Sequence, residues 1–237
     1  MSKIAAIAQV LRRTPFWKWP FLVVTTINVG AASDERILRT LRKIRIEAGK
    51  WPDVILGQEF GDRASLKRKI IALGYWIQEG TGQPGQGSTP AFFRKEDMEP
   101  GLPWHIRLLG HVFGGKGAGP SWIKPKWADG ERPKHKASGR WVRAASVHGP
   151  ASQENPLRFA LFRKFVTRLL NAAVWKVITI IGGDWNTKDQ QLHWLTQIMQ
   201  EHGWTSSDIE SSTQLVTHGD HLYDMIWWRK TRLLHFV

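Results

Sequence analysis

Residues 177–186 read VITIIGGDWN, an apolar run followed by two glycines and two polar residues. Its first five residues are apolar or β-branched and predict a buried strand. Gly182 and Gly183 then permit a sharp turn, and Asp184 and Asn186 follow. Ligands of α/β sheets bind beyond the carboxyl ends of strands, and a carboxylate with a carboxamide suits a hard cation or a water to be activated. Taken alone, however, the stretch is better explained as a strand-to-helix turn in which Asp184 or Asn186 caps the next helix.

The same pattern recurs in four further apolar runs of the chain. Each carries a polar or charged residue inside it or directly after it: residues 21–27 with Asn28, 53–57 with Gln58 and Glu59, 141–147 with His148, and 222–228 with Asp224. A purely structural account needs five separate capping or turn explanations. One polar site built from strand ends explains all five runs together.

The ordered set of motifs resembles the endonuclease/exonuclease/phosphatase superfamily of metal-dependent phosphodiesterases and phosphatases. The set is Asn28, then Gln58-Glu59, Val147-His148-x-Pro150, Gly183-Asp184-Trp185-Asn186 and Tyr223-Asp224-x-Ile226. The resemblance runs from about residue 21 to residue 228. It implies an α/β layered sandwich of two packed, mixed β-sheets flanked by helices.

Helical patterns alternate with the strands, which also favours an α/β layered sandwich. Residues 34–47, 63–73, 156–173 and 189–202 have helical spacing, and residues 75–77 and 91–93 predict short strands. Periodicity alone does not separate this sandwich from a doubly wound sheet. We expect one domain over residues 21–237, preceded by an N-terminal extension over residues 1–20. Within that extension, residues 4–11 predict a short amphipathic helix.

The resemblance assigns roles to five residues of the first four motifs. Glu59 would bind the metal, Mg²⁺ or Mn²⁺. Asp184 would orient or deprotonate the attacking water, and Asn186 would hold the same water or a phosphate oxygen. Asn28 would position the metal-ligand network or the phosphate, and His148 would donate a hydrogen bond to a non-bridging phosphate oxygen.

The last motif departs from the family pattern. Asp224 stands where the family has an acid that orients a later histidine in a Ser-Asp-His motif, but no such motif follows. The expectation is therefore either a C-terminal truncation or a degenerate site, with weak or no activity. In a rival alignment, Asp220 and His221 form the closing dyad. We prefer Asp224 as the orienting acid, with His221 nearby in a loop.

The composition favours a polyanionic partner. The chain has 34 Lys and Arg against 20 Asp and Glu, which gives a net charge of +14. Because basic side chains attract phosphates, this excess of positive charge predicts nucleic-acid binding. A solubilising surface or an Arg-rich genome would explain the same excess. Residues 114–139 form a long basic segment rich in glycine and proline, in which Lys124, Lys126 and Lys134 would grip phosphates. A disordered surface excursion explains that segment about as well.

Three functions remain open at this point. The first is Mg²⁺-dependent hydrolysis of phosphodiester bonds in nucleic acid. The second is a phosphatase acting on a small phosphate ester or a phospholipid headgroup, and the third is a catalytically degenerate, basic nucleic-acid-binding domain. The chain contains no cysteine and no run of 18 apolar residues, so we expect a cytoplasmic monomer without stable membrane insertion.

Overall fold

The structure is a computed structural model. It describes residues 6–11, 22–61, 63–78, 89–99, 126–127, 134–136, 140–149, 155–171, 178–187, 189–206 and 224–229. Within these ranges the chain forms two mixed β-sheets that pack face to face, with helices on both outer faces. The predicted α/β layered sandwich is confirmed, and the doubly wound alternative is wrong because the strands divide between two sheets.

The first sheet has the strand order β1-β2-β3-β5-β4. Its elements are β1 Ala6–Leu11, β2 Leu22–Asn28, α1 Asp34–Ala48, β3 Val54–Gln58, α2 Ala64–Ala72, β4 Tyr75–Gln78 and β5 Ala91–Arg94. β2 and β3 run parallel, with α1 as the crossover between them. Helix α1 begins where expected, because Ser33 Oγ accepts the Arg36 N–H at 3.3 Å. It ends at Gly49, whose φ of 72° suits a glycine.

The predicted helix over residues 4–11 is wrong. β1 pairs antiparallel with β2, from Ala6 opposite Ile27 to Leu11 opposite Leu22. So short a helix is marginal in water, whereas a strand at the open edge of β2 gains ladder hydrogen bonds. The segment thus packs on the domain as a sheet strand, and the domain boundary at residue 20 stays a prediction.

The second sheet has the strand order β11-β12-β10-β9-β8-β6, and β7 also pairs with β9. Its strands are β6 Met98–Glu99, β7 Lys126–Trp127, β8 Lys134–His135, β9 Arg140–His148, β10 Ile178–Asp184, β11 Trp204–Ser206 and β12 Asp224–Arg229. Helices α3 Pro156–Asn171 and α4 Asp189–Glu201 belong to this half of the chain. β9 and β10 run parallel, and the other pairs of this sheet are antiparallel.

Alternation along the strands separates three apolar clusters. Inward-facing residues such as Val24, Leu56 and Ile180 form the cluster between the sheets. Their neighbours Ile55 and Ile181 point outward. Ile55 packs in the cluster with α1 and α2, and Ile181 packs in the cluster with α3 and α4. Both faces of the central strands are therefore buried, which explains why these strands appear in the sequence as continuous apolar runs. No helix of the described residues is long and apolar enough to cross a membrane.

Candidate active site

Two parallel strand pairs bring their carboxyl ends to one edge of the sandwich. In the first sheet, Asn28 pairs with Gln58 at the ends of β2 and β3. In the second, Asp184 at the end of β10 lies opposite His148 of β9 on one side and Asp224 of β12 on the other. Polar residues from the five predicted runs therefore gather at this edge, as the strand-end pattern in the sequence indicated.

Glu59 reaches the site through an unusual backbone conformation. In a regular strand, Glu59 would point to the face opposite Gln58. Its φ of 57° lies in the left-handed region, and this re-aims the side chain so that Oε1 accepts a hydrogen bond from Asn28 Nδ2 at 3.1 Å. Such a conformation costs a non-glycine residue about 1–3 kcal/mol and concentrates at functional sites. Sequence reasoning selected Glu59 as a strand-end acid but did not foresee this turn.

Asn28 joins the two sheets by bridging their carboxylates. Its Nδ2 donates to Glu59 Oε1 at 3.1 Å and to Asp184 Oδ2 at 3.0 Å. Its Oδ1 accepts the Gly30 N–H at 3.1 Å, which fixes the amide orientation because an N–H cannot donate to an NH₂ group. Asn28 therefore holds a carboxylate of each sheet in place, consistent with the expected positioning role.

His148 completes a compact group of possible metal ligands. Its Nε2 lies 3.6 Å from Glu59 Oε1. Glu59, His148 and Asp184 each offer one ligand atom, and these atoms all lie within 4.8 Å of one another. The side chains of His148 and Glu59 are 32% and 40% exposed, so the group opens to solvent. A ligand can therefore reach it from outside.

Burial dominates the electrostatics of Asp184 and raises the pKa of its carboxyl. The charge of His148 and hydrogen bonds from Asn28 and the Asn186 N–H lower that pKa, and the nearby Glu59 carboxylate raises it again. Two acids that share one amide donor repel each other. A bound cation would relieve this repulsion, so the donor set fits a divalent metal.

Asn186 fastens the ends of β9 and β10 to each other. Its φ is 50°, its N–H donates to Asp184 Oδ1 at 2.9 Å, and its Nδ2 donates to the Gly149 carbonyl at 2.8 Å. Gly149 N–H in turn donates to the Asp184 carbonyl at 2.7 Å. Gly183 permits this close approach, because a Cβ there would lie 1.9 Å from the Val147 carbonyl oxygen. The expected contact of Asn186 with a water or phosphate oxygen stays a prediction.

The remaining predicted residues are less closely tied to this group. Asp224 is 3% exposed and opposes Asp184 in the ladder, and its role toward a histidine stays a prediction. Lys126 and Lys134 lie on β7 and β8, which both pair with the His148 strand β9. Lys124 and His221 lie outside the described residues. The phosphate-gripping role of the three lysines likewise stays a prediction.

Sequence reasoning missed Arg63, which ties the loops around the site together. Its guanidinium donates to the Ala32 carbonyl at 2.5 Å and to Asp34 Oδ1 at 2.9 Å, while its N–H donates to the Phe60 carbonyl at 2.9 Å. It therefore joins the loop after Asn28 to the loop after Glu59. No local motif marks it, because the two partners of its guanidinium, Ala32 and Asp34, are distant in sequence.

The sequence matches no protein-family model and no curated protein, whereas the structure resembles solved ones. D. rerio TDP2 complexed with a single-strand DNA product has 13% identity and a TM-score of 0.57, over 89% of this chain and 84% of that one. A mannosyl-6-phosphatase from Bacteroides thetaiotaomicron has 14% identity and a TM-score of 0.56, over 88% of this chain and 85% of that one. An endonuclease/exonuclease/phosphatase from Beutenbergia cavernae has 15% identity and a TM-score of 0.54, over 84% of this chain and 59% of that one. The chain thus shares the fold of these proteins, as the resemblance of its motifs implied.

Proposed function

We propose that this chain is a divalent-metal-dependent hydrolase of phosphodiester bonds in nucleic acid. The observation that carries the proposal is the convergence of Glu59, His148 and Asp184, whose ligand atoms lie within 4.8 Å of one another at one sheet edge. The fold supports it, because a phosphatase and a protein complexed with single-strand DNA product share this fold.

The residues present fit Mg²⁺ or Mn²⁺. Mg²⁺ is held by few carboxylates and keeps several waters, and Glu59 is both anionic and open to solvent. Glu59 would be the main metal ligand, with Asp184 and His148 close enough to contribute or to contact bound water. A divalent ion at this place would neutralise phosphate charge and lower the pKa of a water.

The chain's own groups supply positioning and proton transfer. Asp184, with its raised pKa, orients the attacking water and accepts its proton. Asn28 keeps both carboxylates in place through its two donor contacts. His148 donates a hydrogen bond to a phosphate oxygen, and Asn186 holds the ends of β9 and β10 together.

The charge distribution on α1 favours a polymeric anion over a small one. Arg36, Arg39 and Arg42 are exposed and form no ion pair with any described residue. By contrast, Asp34 of the same helix is paired with Arg63 and Lys69. Successive arginines three residues apart lie about 4.5 Å apart along the helix axis, a row that suits several phosphates. Together with the +14 net charge, this row supports nucleic acid as the substrate.

The decisive experiment is a turnover assay on single-stranded DNA, RNA, plasmid and a phosphate monoester, with Mg²⁺ or Mn²⁺ and with chelator. Because no Ser-Asp-His motif follows Asp224, we expect only weak nucleic-acid cleavage, which should stop in chelator. Glu59→Gln should abolish it without unfolding the protein, because the amide keeps the Asn28 hydrogen bond and removes only charge. Full activity in chelator, or unchanged metal affinity in Glu59→Gln, would contradict the metal assignment.

A second candidate is hydrolysis of a small phosphate ester, which the shared fold of the mannosyl-6-phosphatase favours. The salt dependence of substrate affinity distinguishes the two candidate functions. Binding of nucleic acid should weaken steeply with salt, because each neutralised phosphate releases counterions. Reversal of Lys124, Lys126 and Lys134 to Glu should weaken it further for all sequences alike. Salt-independent affinity would favour the small ester, and salt-dependent binding without turnover would favour a degenerate binding domain.

A further inference from the structure

A layer of buried polar side chains lies directly beneath the candidate site. Thr26 and Ser146 stand two residues before Asn28 and His148, on the same inward face of β2 and β9. Gln58 at the end of β3 joins them. Thr26 and Gln58 are 0% exposed and Ser146 is 1% exposed. We call these three residues the floor network.

The hydrogen bonds of the floor network satisfy the Gln58 side chain. Gln58 Nε2 donates to Ser146 Oγ at 2.7 Å and to the Leu56 carbonyl at 3.1 Å, and Gln58 Oε1 accepts from Thr26 Oγ1 at 3.0 Å. The Ser146 hydroxyl donates onward to the Gly57 carbonyl at 2.8 Å. Buried polar groups are costly unless they are paired in this way.

The network crosses from one sheet to the other. Gln58 and Gly57 belong to β3 of the first sheet, and Ser146 belongs to β9 of the second. The cluster below it, with Val24, Leu56 and Ile180, is apolar and therefore non-directional. At the matching place on β10, Gly182 carries no side chain, and a Cβ would lie 2.8 Å from Leu56 Cδ1. The sheets thus approach closely, and the two Ser146 hydrogen bonds define how β3 and β9 face each other.

We propose that Gln58 and Ser146 are positioning residues that set Glu59 of the first sheet against His148 and Asp184 of the second. Glu59 directly follows Gln58, and His148 stands two residues after Ser146. A shift between β3 and β9 therefore moves the Glu59 carboxylate relative to the imidazole, which lies 3.6 Å away. This inference rests on the proposed function for its metal-affinity and activity readouts, but not for the resonance shifts measured without metal.

The test compares Ser146→Ala and Gln58→Met with the parent protein. Partners that orient metal ligands typically contribute about 10–100-fold to metal affinity or activity. We expect both variants to weaken Mn²⁺ binding, followed by electron paramagnetic resonance, by about that factor. Turnover per folded molecule should fall with it. Both substitutions remove the same Gln58–Ser146 hydrogen bond, so the double variant should lose less thermal stability than the sum of the two single losses, whereas metal affinity should not recover.

Tyr75→Phe is the matched control. The Tyr75 hydroxyl donates a buried hydrogen bond of the same length, 2.7 Å, to the Pro52 carbonyl at the opposite end of β3. Its loss should lower the melting temperature while Mn²⁺ affinity stays that of the parent. An equal loss of affinity in Tyr75→Phe would overturn the proposal, because the effect would then be general destabilisation.

A cross-sheet readout needs neither metal nor substrate. In the metal-free protein, Ser146→Ala on the second sheet should shift the ¹³C carboxylate resonance of Glu59 on the first. Gln58→Met should likewise shift the His148 ring resonances. Unchanged chemical shifts of Glu59 and His148 in folded variants would contradict the positioning role. A parent protein that neither binds Mn²⁺ nor turns over would refute the proposed function, while these shifts would still decide the positioning role.

Discussion

A carboxylate lies at each end of strand β3, and the two carboxylates differ in their exposure and in their partners. Asp53, just before the strand, is 0% exposed and accepts the Val23 N–H at 2.5 Å and Lys50 Nζ at 2.8 Å. Glu59, just after the strand, is partly exposed and faces a second carboxylate through the shared amide of Asn28. Among the described residues, no lysine or arginine pairs with Glu59 or Asp184.

The difference separates a structural acid from acids gathered for chemistry. At the Asp53 end, a cation and a backbone donor offset part of the cost of burying the charge and fasten β3 to β2. At the Glu59 end, two like charges are brought together without a lysine or arginine partner among the described residues, which lowers stability unless a cation binds. A buried acid with its own cation and backbone donor fastens two strands, whereas crowded acids at a sheet edge indicate a site.

The largest effect should follow Asp184→Asn. We expect turnover to fall by about 10²–10⁴, because a positioned general base contributes that much to the rate. The melting temperature should change little, since relief of burial and of the Glu59 repulsion offsets one lost hydrogen bond. Steady-state kinetics beside thermal denaturation checks this. Near-parental turnover would show that Asp184 is not the base.

The next effect concerns pH and the Asp53 end. Burial raises the pKa of Asp53 to about 6 from 3.8, although Lys50 and the Val23 N–H lower it. The folded protein then holds this proton more tightly than the unfolded chain, so the contribution of Asp53 to stability is fully present below pH 4 and is lost as pH rises through 6. The loss should be roughly 3 kcal/mol at about 1.4 kcal/mol per pKa unit.

Denaturant titrations of the parent and of Asp53→Asn, at pH 4 to 7, isolate this contribution. The difference between the two proteins in free energy of unfolding should change across that window, because only the parent titrates at residue 53. A constant difference would show that Asp53 keeps an ordinary pKa.

A smaller effect is expected for Lys50→Met at neutral pH. The substitution leaves the buried Asp53 carboxylate without its charged donor and should cost about 1–3 kcal/mol of stability. Turnover per folded molecule should stay that of the parent, because Lys50 lies at the end of β3 away from Glu59. Reduced turnover in fully folded Lys50→Met protein would contradict the assignment of a purely structural role to the Asp53 end of β3.

The smallest effect is expected for His221→Ala. If Asp224 is the orienting acid, loss of the His221 side chain should leave turnover almost unchanged. The measurement is the same steady-state assay, with Asp224→Asn as the companion variant. If His221→Ala abolishes turnover, the rival alignment is right, and Asp220 and His221 are the closing dyad.

Local patterns in the sequence predicted most of the fold. The predicted strands before Asn28, Glu59 and His148 all exist, because β-branched runs and turn residues act over a few neighbouring positions. The α1 cap at Ser33 and the stop at Gly49 were predictable for the same reason. The predicted helix over residues 4–11 is wrong, because the described part of this segment pairs as an edge strand with β2, a partner outside the segment itself.

The residues at the strand ends could be identified from the amino-acid pattern, because polarity and alternation are local properties of a single run. Their contacts with one another depend on the packing of the two sheets. Asn28 bonds Asp184 across 156 positions of the chain, and Gln58 bonds Ser146 across 88. The left-handed turn at Glu59 aims its carboxylate at Asn28 of the neighbouring strand. Such contacts depend on how the two sheets pack against each other, and a local sequence pattern does not encode the distance between residues on different sheets.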